Sequence, residues 1–161
     1  MKKILILALV VALTLASVSV ALADSGRNFV AHLSGGSEVP ANDSLGQGQA
    51  IFRLSADGAE LQYKLIAANI QNILQAHIHL APASSNGPVV AWLYPGGPPA
   101  QLIPGRFSGV LAEGTITSAS LVGPLSGYTL ADLLAELEAG NAYVNLHTQQ
   151  FPPGEIRGQI R

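Results

Sequence analysis

The chain has 161 residues, with 8 basic side chains, 10 acidic side chains, a formal net charge of −2 and no cysteine. No basic patch is visible in the sequence, which argues against nucleic acid as a partner. The absence of cysteine excludes a disulfide framework, so burial and hydrogen bonding must hold the fold together.

The N-terminal segment has the pattern of an export signal. A basic start at Met1–Lys3 precedes an apolar run over 4–20, and Ala21-Leu22-Ala23 has the small-x-small form of a signal-peptidase site. We therefore predict a signal peptide over 1–23, cleaved after Ala23, and one exported domain over 24–161. This places the protein in the periplasm, at the cell surface or outside the cell. The alternative is an uncleaved membrane anchor, because about 20 apolar residues can span a bilayer.

Cleavage makes the chain more acidic. The loss of Lys2 and Lys3 takes the basic side chains from 8 to 6 against 10 acidic ones, a formal charge of −4. The remaining length is enough for one domain with a real core.

The mature chain has the pattern of an all-β domain. Short β-rich segments alternate with turn residues every 8 to 12 positions or so, which favours a sandwich or barrel. Asp57-Gly58 between two alternating runs predicts a hairpin over 48–67. Pro95–Gly105 holds four prolines and three glycines, which predicts an exposed loop rather than a strand. The other predicted strands cover 28–33, 73–80, 89–94, 107–121, 142–148 and 155–161.

One helix is predicted at about 129–139, before the last two strands. Thr129 and Asp132 have the spacing of a capping box. The apolar stripe at i, i+3, i+4 and i+7 consists of Leu130, Leu133, Leu134 and Leu137. Gly140-Asn141 ends the helix.

The candidate chemistry lies in three histidines. His77 and His79 are two residues apart in a predicted strand, so both point to one face, roughly 6.6 Å apart along the chain. His147 has a similar setting in a later strand. Three imidazoles suit copper or zinc. A working site also needs acceptors that fix the ring tautomers, for which Asn145, Glu155 or a backbone carbonyl are candidates.

Each of these features has a plainer interpretation. The histidines can instead form a hydrogen-bonded polar cluster that braces the sheet without a ligand. Glu155 and Arg157 share one face of the last strand, where they can pair with cross-strand neighbours or with the histidines, and a structural ion pair is favoured over a catalytic role. Trp92 and Tyr94 fit a core or rim position, or a patch that contacts sugar or peptide. The sequence contains no nucleophile elbow, P-loop or cysteine nucleophile, which argues against hydrolase and nucleotide-dependent functions.

Several blocks of the sequence resemble the CHRD (chordin-type) domain family, in the family's order and over about residues 28–161. They are Leu33-Ser34-Gly35-Gly36-Ser37-Glu38-Val39-Pro40, Ala76-His77-Ile78-His79, Asn86-Gly87-Pro88-Val89-Val90, Tyr143-Val144-Asn145-Leu146-His147-Thr148 and Pro153-Gly154-Glu155-Ile156-Arg157-Gly158-Gln159-Ile160.

The resemblance implies an immunoglobulin-like β-sandwich with a faint similarity to copper/zinc superoxide dismutase. Such domains occur in the secreted animal antagonist of bone morphogenetic proteins and as stand-alone exported domains in microbes. Dismutase chemistry needs a fourth copper-binding histidine and a bridge to zinc. Only His32 remains in this sequence, so we predict no enzyme activity.

We therefore predict a non-enzymatic exported binding module whose partner is an extracellular or envelope protein. The alternative is a metal-binding protein that holds copper, or zinc, with His77, His79 and His147. In that alternative Asn145, Glu155 and Arg157 surround the ligands. A third interpretation is a purely structural envelope component.

Overall fold

The computed structural model describes residues 27–161. The predicted signal peptide over 1–23, and its alternative as an anchor, lie outside the described residues. Within 27–161, no helix combines the length and apolar character needed to cross a bilayer.

Antiparallel strands make up most of this region. In chain order the elements are β1 (Asn28–Ser34), β2 (Gln47–Leu54), β3 (Leu61–Leu80), β4 (Val89–Tyr94), β5 (Ile103–Ile116), α1 (Leu130–Glu138), β6 (Ala142–Thr148) and β7 (Ile156–Gln159). Single 3₁₀ turns lie at Gly35–Ser37, Ser118–Ser120 and Gly123–Leu125. The predicted all-β class, with one short helix before the last two strands, is confirmed.

Five strands pair into a closed ring. The order around the ring is β2, β1, β7, β6 and β3, and β3 returns to pair with β2. Strands β4 and β5 are added to this ring by pairing with β3. Because the ring closes on itself, the fold is not clearly the immunoglobulin-like or superoxide dismutase-like sandwich that the resemblance implied. It is better described as a five-stranded barrel with two extra strands.

Strand β3 is what allows the ring to close. Its first half pairs with β2 and its second half with β6, so one strand lies on both sides of the closure. We predicted two separate strands here. They are continuous because Asn69 and Asn72 take φ angles of 58° and 52°, which asparagine tolerates better than most residues. These positions coincide with register shifts against β5, where the long strand bends.

The prediction of a loop over Pro95–Gly105 is wrong at its C-terminal end, because β5 begins at Ile103. Pro104 and Gly105 have no partner in the ladder with β3. Gly105 adopts a φ of +79°, and its N–H donates to the side-chain oxygen of Asn72 at 2.8 Å. A bulge therefore accommodates the proline that we expected to stop the strand.

The predicted hairpin and helix caps are confirmed. Leu54 and Leu61 face each other across the Asp57-Gly58 turn. Thr129 caps α1 and forms a reciprocal capping box with Asp132. The leucines of the predicted stripe are all buried in the core, namely Leu130, Leu133, Leu134 and Leu137.

The sheet carries a second buried layer on the face opposite the core. Along β3 and β6 the aliphatic side chains point into the barrel, and the residues between them point outward. This outer layer is buried or half-buried although it is polar, and we refer to it as the polar layer. Its members are His77, His79, Tyr143, Asn145, His147 and Arg157. Three loops cover it, at 35–46, 81–88 and 149–155, through the hydrogen bonds described below.

Candidate metal centre

Neighbouring strands bring the three histidines together in the polar layer. On β3, His77 lies opposite Asn145 and His79 lies opposite Tyr143, which places His147 diagonally beside His77. One ring nitrogen from each histidine lies within 4.8 Å of the other two. The shortest approach joins His77 Nδ1 and His147 Nε2 at 3.3 Å. The predicted convergence of His77, His79 and His147 is therefore present in the fold.

Backbone carbonyls orient two of the rings. The Nδ1–H of His79 donates to the carbonyl of Gly87 at 2.8 Å, and the Nδ1–H of His147 donates to the carbonyl of Pro152 at 2.9 Å. A carbonyl can only accept, so each of these Nδ1 atoms carries the proton and each Nε2 atom keeps a lone pair. Both lone pairs are thereby available as metal ligands, which is how outer contacts prepare a histidine site.

The three imidazoles have more nitrogen lone pairs than there are hydrogen-bond donors near them. His147 Nε2 can accept from His77 Nδ1–H, which leaves His77 Nε2 as a second bare nitrogen. Within 27–161, neither His77 Nε2 nor His79 Nε2 has a hydrogen-bond partner, although both are buried. A buried acceptor without a partner is costly, about 1–3 kcal/mol each. A cation between the rings supplies the missing partner of His79 Nε2.

Burial keeps the rings neutral, which is the form that binds metal. Desolvation lowers the pKa of His77 to about 3, with smaller contributions from His147 and His79. Desolvation also lowers the pKa of His79 to about 4, against the opposing hydrogen bond to Gly87. The pKa of His147 is lowered by the same cause.

The spacing fits an ion with a small adjustment. Metal–nitrogen bonds of about 2.0–2.1 Å place tetrahedral ligands roughly 3.3–3.5 Å apart. The His77 Nδ1–His147 Nε2 separation of 3.3 Å meets this value, and the three nitrogens of the group lie within 4.8 Å of one another. An ion at this position binds His77 through Nδ1, and the ring proton of His77 then lies on Nε2. Binding requires at most about 1.5 Å of inward movement by one ring.

Aromatic rings line the site. Trp92 on β4 packs edge-on against His77 with 4.3 Å between ring centroids. Tyr143 stacks on His79 at 4.9 Å and 11°. The guanidinium of Arg157 packs over the Tyr143 ring, with its central carbon 3.4 Å from the ring centroid. These contacts limit the positions that the three imidazoles can adopt.

The residues predicted to surround the ligands lie nearby, but their hydrogen bonds go elsewhere. Asn145 donates to Glu38 at 2.7 Å, and Glu155 accepts from the hydroxyls of Ser44 and Thr148. Arg157 reaches His79 only through Tyr143. Neither Glu155 nor Arg157 forms the predicted ion pair with a neighbouring strand, since the ion pairs within 27–161 are Arg27–Glu138 and Lys64–Glu113.

Sequence reasoning missed three participants. It named a backbone carbonyl as a candidate acceptor without locating it at Gly87 or Pro152, because a carbonyl leaves no trace in the sequence. It also passed over Glu38, which is buried beside Asn145. Burial raises the pKa of Glu38 to about 7, against the opposing effects of Arg157 and Asn145. The one signal for Glu38 was its place in a block resembling the family.

His32 does not join the cluster. It lies exposed on β1, outside the group formed by the other three histidines. The residues within 27–161 thus bring three imidazoles together and leave the fourth apart.

Comparison with known proteins identifies the family. The family model described as the CHRD domain matches residues 29–160. No curated protein and no solved structure matches the chain significantly. The matched range covers every strand of the ring, the helix and all three clustered histidines, and the chain therefore belongs to the CHRD domain family.

Proposed function

We propose that this protein is a non-enzymatic, exported CHRD module that binds a copper or zinc ion through His77, His79 and His147. The observation that carries the proposal is the approach of one ring nitrogen from each of His77, His79 and His147 to within 4.8 Å of the other two, with His79 Nε2 buried and without a hydrogen-bond partner within 27–161. Family membership supports an interaction module, since such domains occur in extracellular or secreted proteins. It supports no particular chemistry.

The donor set narrows the metal. The chain has no cysteine, and its one methionine is Met1, so soft sulfur ligands are missing from the mature sequence. Neutral imidazoles suit copper and zinc among the common metals. The group that could hold an ion contains no carboxylate, which argues against magnesium and calcium, both of which prefer oxygen ligands.

The same geometry argues against a cluster built only for bracing. A bracing cluster gains stability when all of its members are satisfied. Here the rings give one mutual hydrogen bond and two bonds to carbonyls, while two nitrogens stay unpaired. An ion turns His79 Nε2 into a ligand and takes the place of the proton that His77 Nδ1 and His147 Nε2 share.

The test is thermal unfolding of the metal-free protein with and without Cu²⁺ or Zn²⁺. A ligand that binds only the folded state increases the free energy of unfolding, by about 2.7 kcal/mol at a hundredfold excess over Kd, and so raises the melting temperature. The His77→Ala/His79→Ala double variant should lose this gain. His32→Ala is the matched control, because it removes an exposed histidine outside the cluster.

Because the double variant removes the buried His77 side chain, its fold must be checked by circular dichroism, and the single variant His79→Ala, at a half-buried position, provides a second test. An equal response of wild type and His79→Ala to both ions contradicts the proposal. The histidines would then be a structural cluster.

A further inference from the structure

A cleft of about 540 Å³ lies on the outer face of β1 and β7. Its sheet residues point away from the core, and the loops at 35–37 and 81–84 form its walls. The lining is polar and basic and contains no carboxylate side chain. It comprises Val30, His32, Ser37, Ala83, Ser84, Arg157, Gln159 and Arg161.

Arg157 is the unusual member of this lining. It is only 2% exposed, among the largest fully buried side chains of the protein. A buried charge normally has a counter-ion. Yet no carboxylate oxygen within 27–161 lies in ion-pair distance of its guanidinium, since both ion pairs of this region involve other residues.

The guanidinium is held in place by neutral groups. It donates to the side-chain oxygen of Asn86 at 3.1 Å and to the carbonyls of Pro82 and Ser85 at 3.3 and 2.8 Å. Its face is packed on the Tyr143 ring. Three of its five N–H donors are used in this way, which leaves two without a hydrogen-bond partner in the described chain. The guanidinium is thus fixed in position, and its Nε–H and one Nη1–H remain without a partner in the described chain.

Glu38 is a poor counter-ion. Its carboxyl accepts from Asn145 at 2.7 Å, not from Arg157. Its pKa, raised to about 7 by burial, also leaves the group substantially protonated at neutral pH. The positive charge of Arg157 is therefore only weakly compensated from within the protein.

From the cleft, its basic lining and the weakly compensated guanidinium, we propose that this cleft binds a small molecule through an oxyanion group. Arg157 contacts the anion from the buried side, and the exposed Arg161 and His32 contact it from the rim. A fixed guanidinium with a free N–H donor binds carboxylate, phosphate or sulfate oxygens alike. The volume exceeds that of a bare inorganic ion, so the natural ligand carries the anionic group on a larger body. This inference does not depend on metal binding.

The experiment is an NMR titration of the ¹⁵N-labelled protein, following the Arg157 side-chain Nε–H signal. Inorganic phosphate, sulfate and succinate are added separately, with sodium chloride at equal ionic strength as the reference. We expect a saturating shift with at least one oxyanion and none with chloride. Saturation by phosphate and sulfate alone points to a phosphoryl or sulfuryl ligand, and saturation by succinate alone points to a carboxylate.

Variants separate the site from general salt effects, because sulfate and phosphate stabilise many folded proteins through exclusion from the surface. Arg161→Gln and His32→Gln change exposed rim residues and should fold normally. Each should weaken binding by about tenfold, as the loss of a charge-assisted hydrogen bond predicts. Arg53→Gln, which changes an exposed arginine outside this cleft, is the matched control and should bind like wild type.

The proposal fails if none of the three oxyanions saturates. It also fails if Arg161→Gln and His32→Gln both bind as tightly as wild type. A shift that grows linearly with every salt, chloride included, has the same meaning, because it reports ionic strength and not a site.

Discussion

Glu38 and the clustered histidines are buried under the same loops, yet burial acts on them with opposite sign. Desolvation favours the neutral form of every group. For Glu38 this raises the pKa from 4.5 to about 7, and for His77 and His79 it lowers the pKa from 6.5 to about 3 and about 4. Near neutral pH, the imidazoles of the polar layer are therefore neutral, and the Glu38 carboxyl in the loop that covers them is close to its titration midpoint.

Glu38→Gln is expected to gain stability relative to wild type as the pH rises. The folded state holds the Glu38 proton more tightly than the unfolded chain, so the contribution of this group is complete below pH 4.5 and is lost as the pH rises through about 7. Glutamine stays neutral and keeps an oxygen for the Asn145 N–H. The advantage should grow by at most about 1.4 kcal/mol per pH unit.

Urea unfolding at pH 5, 6, 7 and 8 measures this difference, with Glu60→Gln as an exposed control. A difference between Glu38→Gln and wild type that stays constant over this range contradicts the assigned pKa shift of Glu38.

The histidines predict the opposite slope. The unfolded chain binds protons to His77 and His79 below about pH 6.5, whereas the folded protein resists until about pH 4 and pH 3. Their contribution to stability is thus complete above pH 6.5 and is lost as the pH falls through this window. The Glu38→Gln background removes the opposing carboxyl. In that background we expect stability to fall between pH 6.5 and 5, and the fall to be shallower when His79→Ala is added.

At the scale of elements, the closed ring depends on a close approach between β1 and β7. Gly158 in β7 faces the backbone of His32 in β1, and a Cβ at Gly158 would overlap the carbonyl of His32. The last residue of the described range meets β1 at the same seam, where Val30 and Arg161 exchange backbone hydrogen bonds of 2.8 and 3.0 Å. Without a side chain at Gly158, these strands reach bonding distance.

Gly158→Ala is therefore expected to destabilise the protein by about 1–3 kcal/mol, the usual cost of overpacking. Gly36→Ala is the matched control, because a Cβ at Gly36 meets no atom within 4 Å. It should change stability by less than about 0.5 kcal/mol. Equal midpoints for both variants in chemical unfolding would show that the seam between β1 and β7 tolerates a methyl group.

Local pattern was enough to predict most elements and the shared face of the histidines. The period-two alternation that buries Ala76 and Ile78 also aims His77 and His79 outward together. The closure of the ring was not predictable in this way, because β1 and β7, which pair to close it, lie far apart in the sequence. The carbonyls of Gly87 and Pro152 were equally hidden, since only the folded loops bring them to the imidazoles.

At the scale of the whole molecule, a stacked column joins the two candidate sites. His79 at the metal centre stacks on Tyr143, and Tyr143 stacks on Arg157 in the wall of the cleft. The positive charge of Arg157 contributes to the lowered pKa of His79. The same charge opposes a cation bound beside His79. Two unit charges about 8 Å apart repel by about 2 kcal/mol at an effective dielectric constant of 20.

An anion in the cleft should offset this repulsion, so oxyanion binding and metal binding are expected to strengthen each other. Once each site has been shown to bind its own ligand, Zn²⁺ affinity is measured by calorimetry in sodium sulfate and in sodium chloride at equal ionic strength. We expect tighter Zn²⁺ binding in sulfate, by a few-fold, and reciprocity requires the same factor for sulfate binding in the presence of Zn²⁺. The enhancement should shrink in Arg161→Gln, whose cleft holds the anion less tightly. Identical Zn²⁺ affinities in the two salts, with both sites occupied, would mean that the column transmits no charge effect and that the two sites act independently.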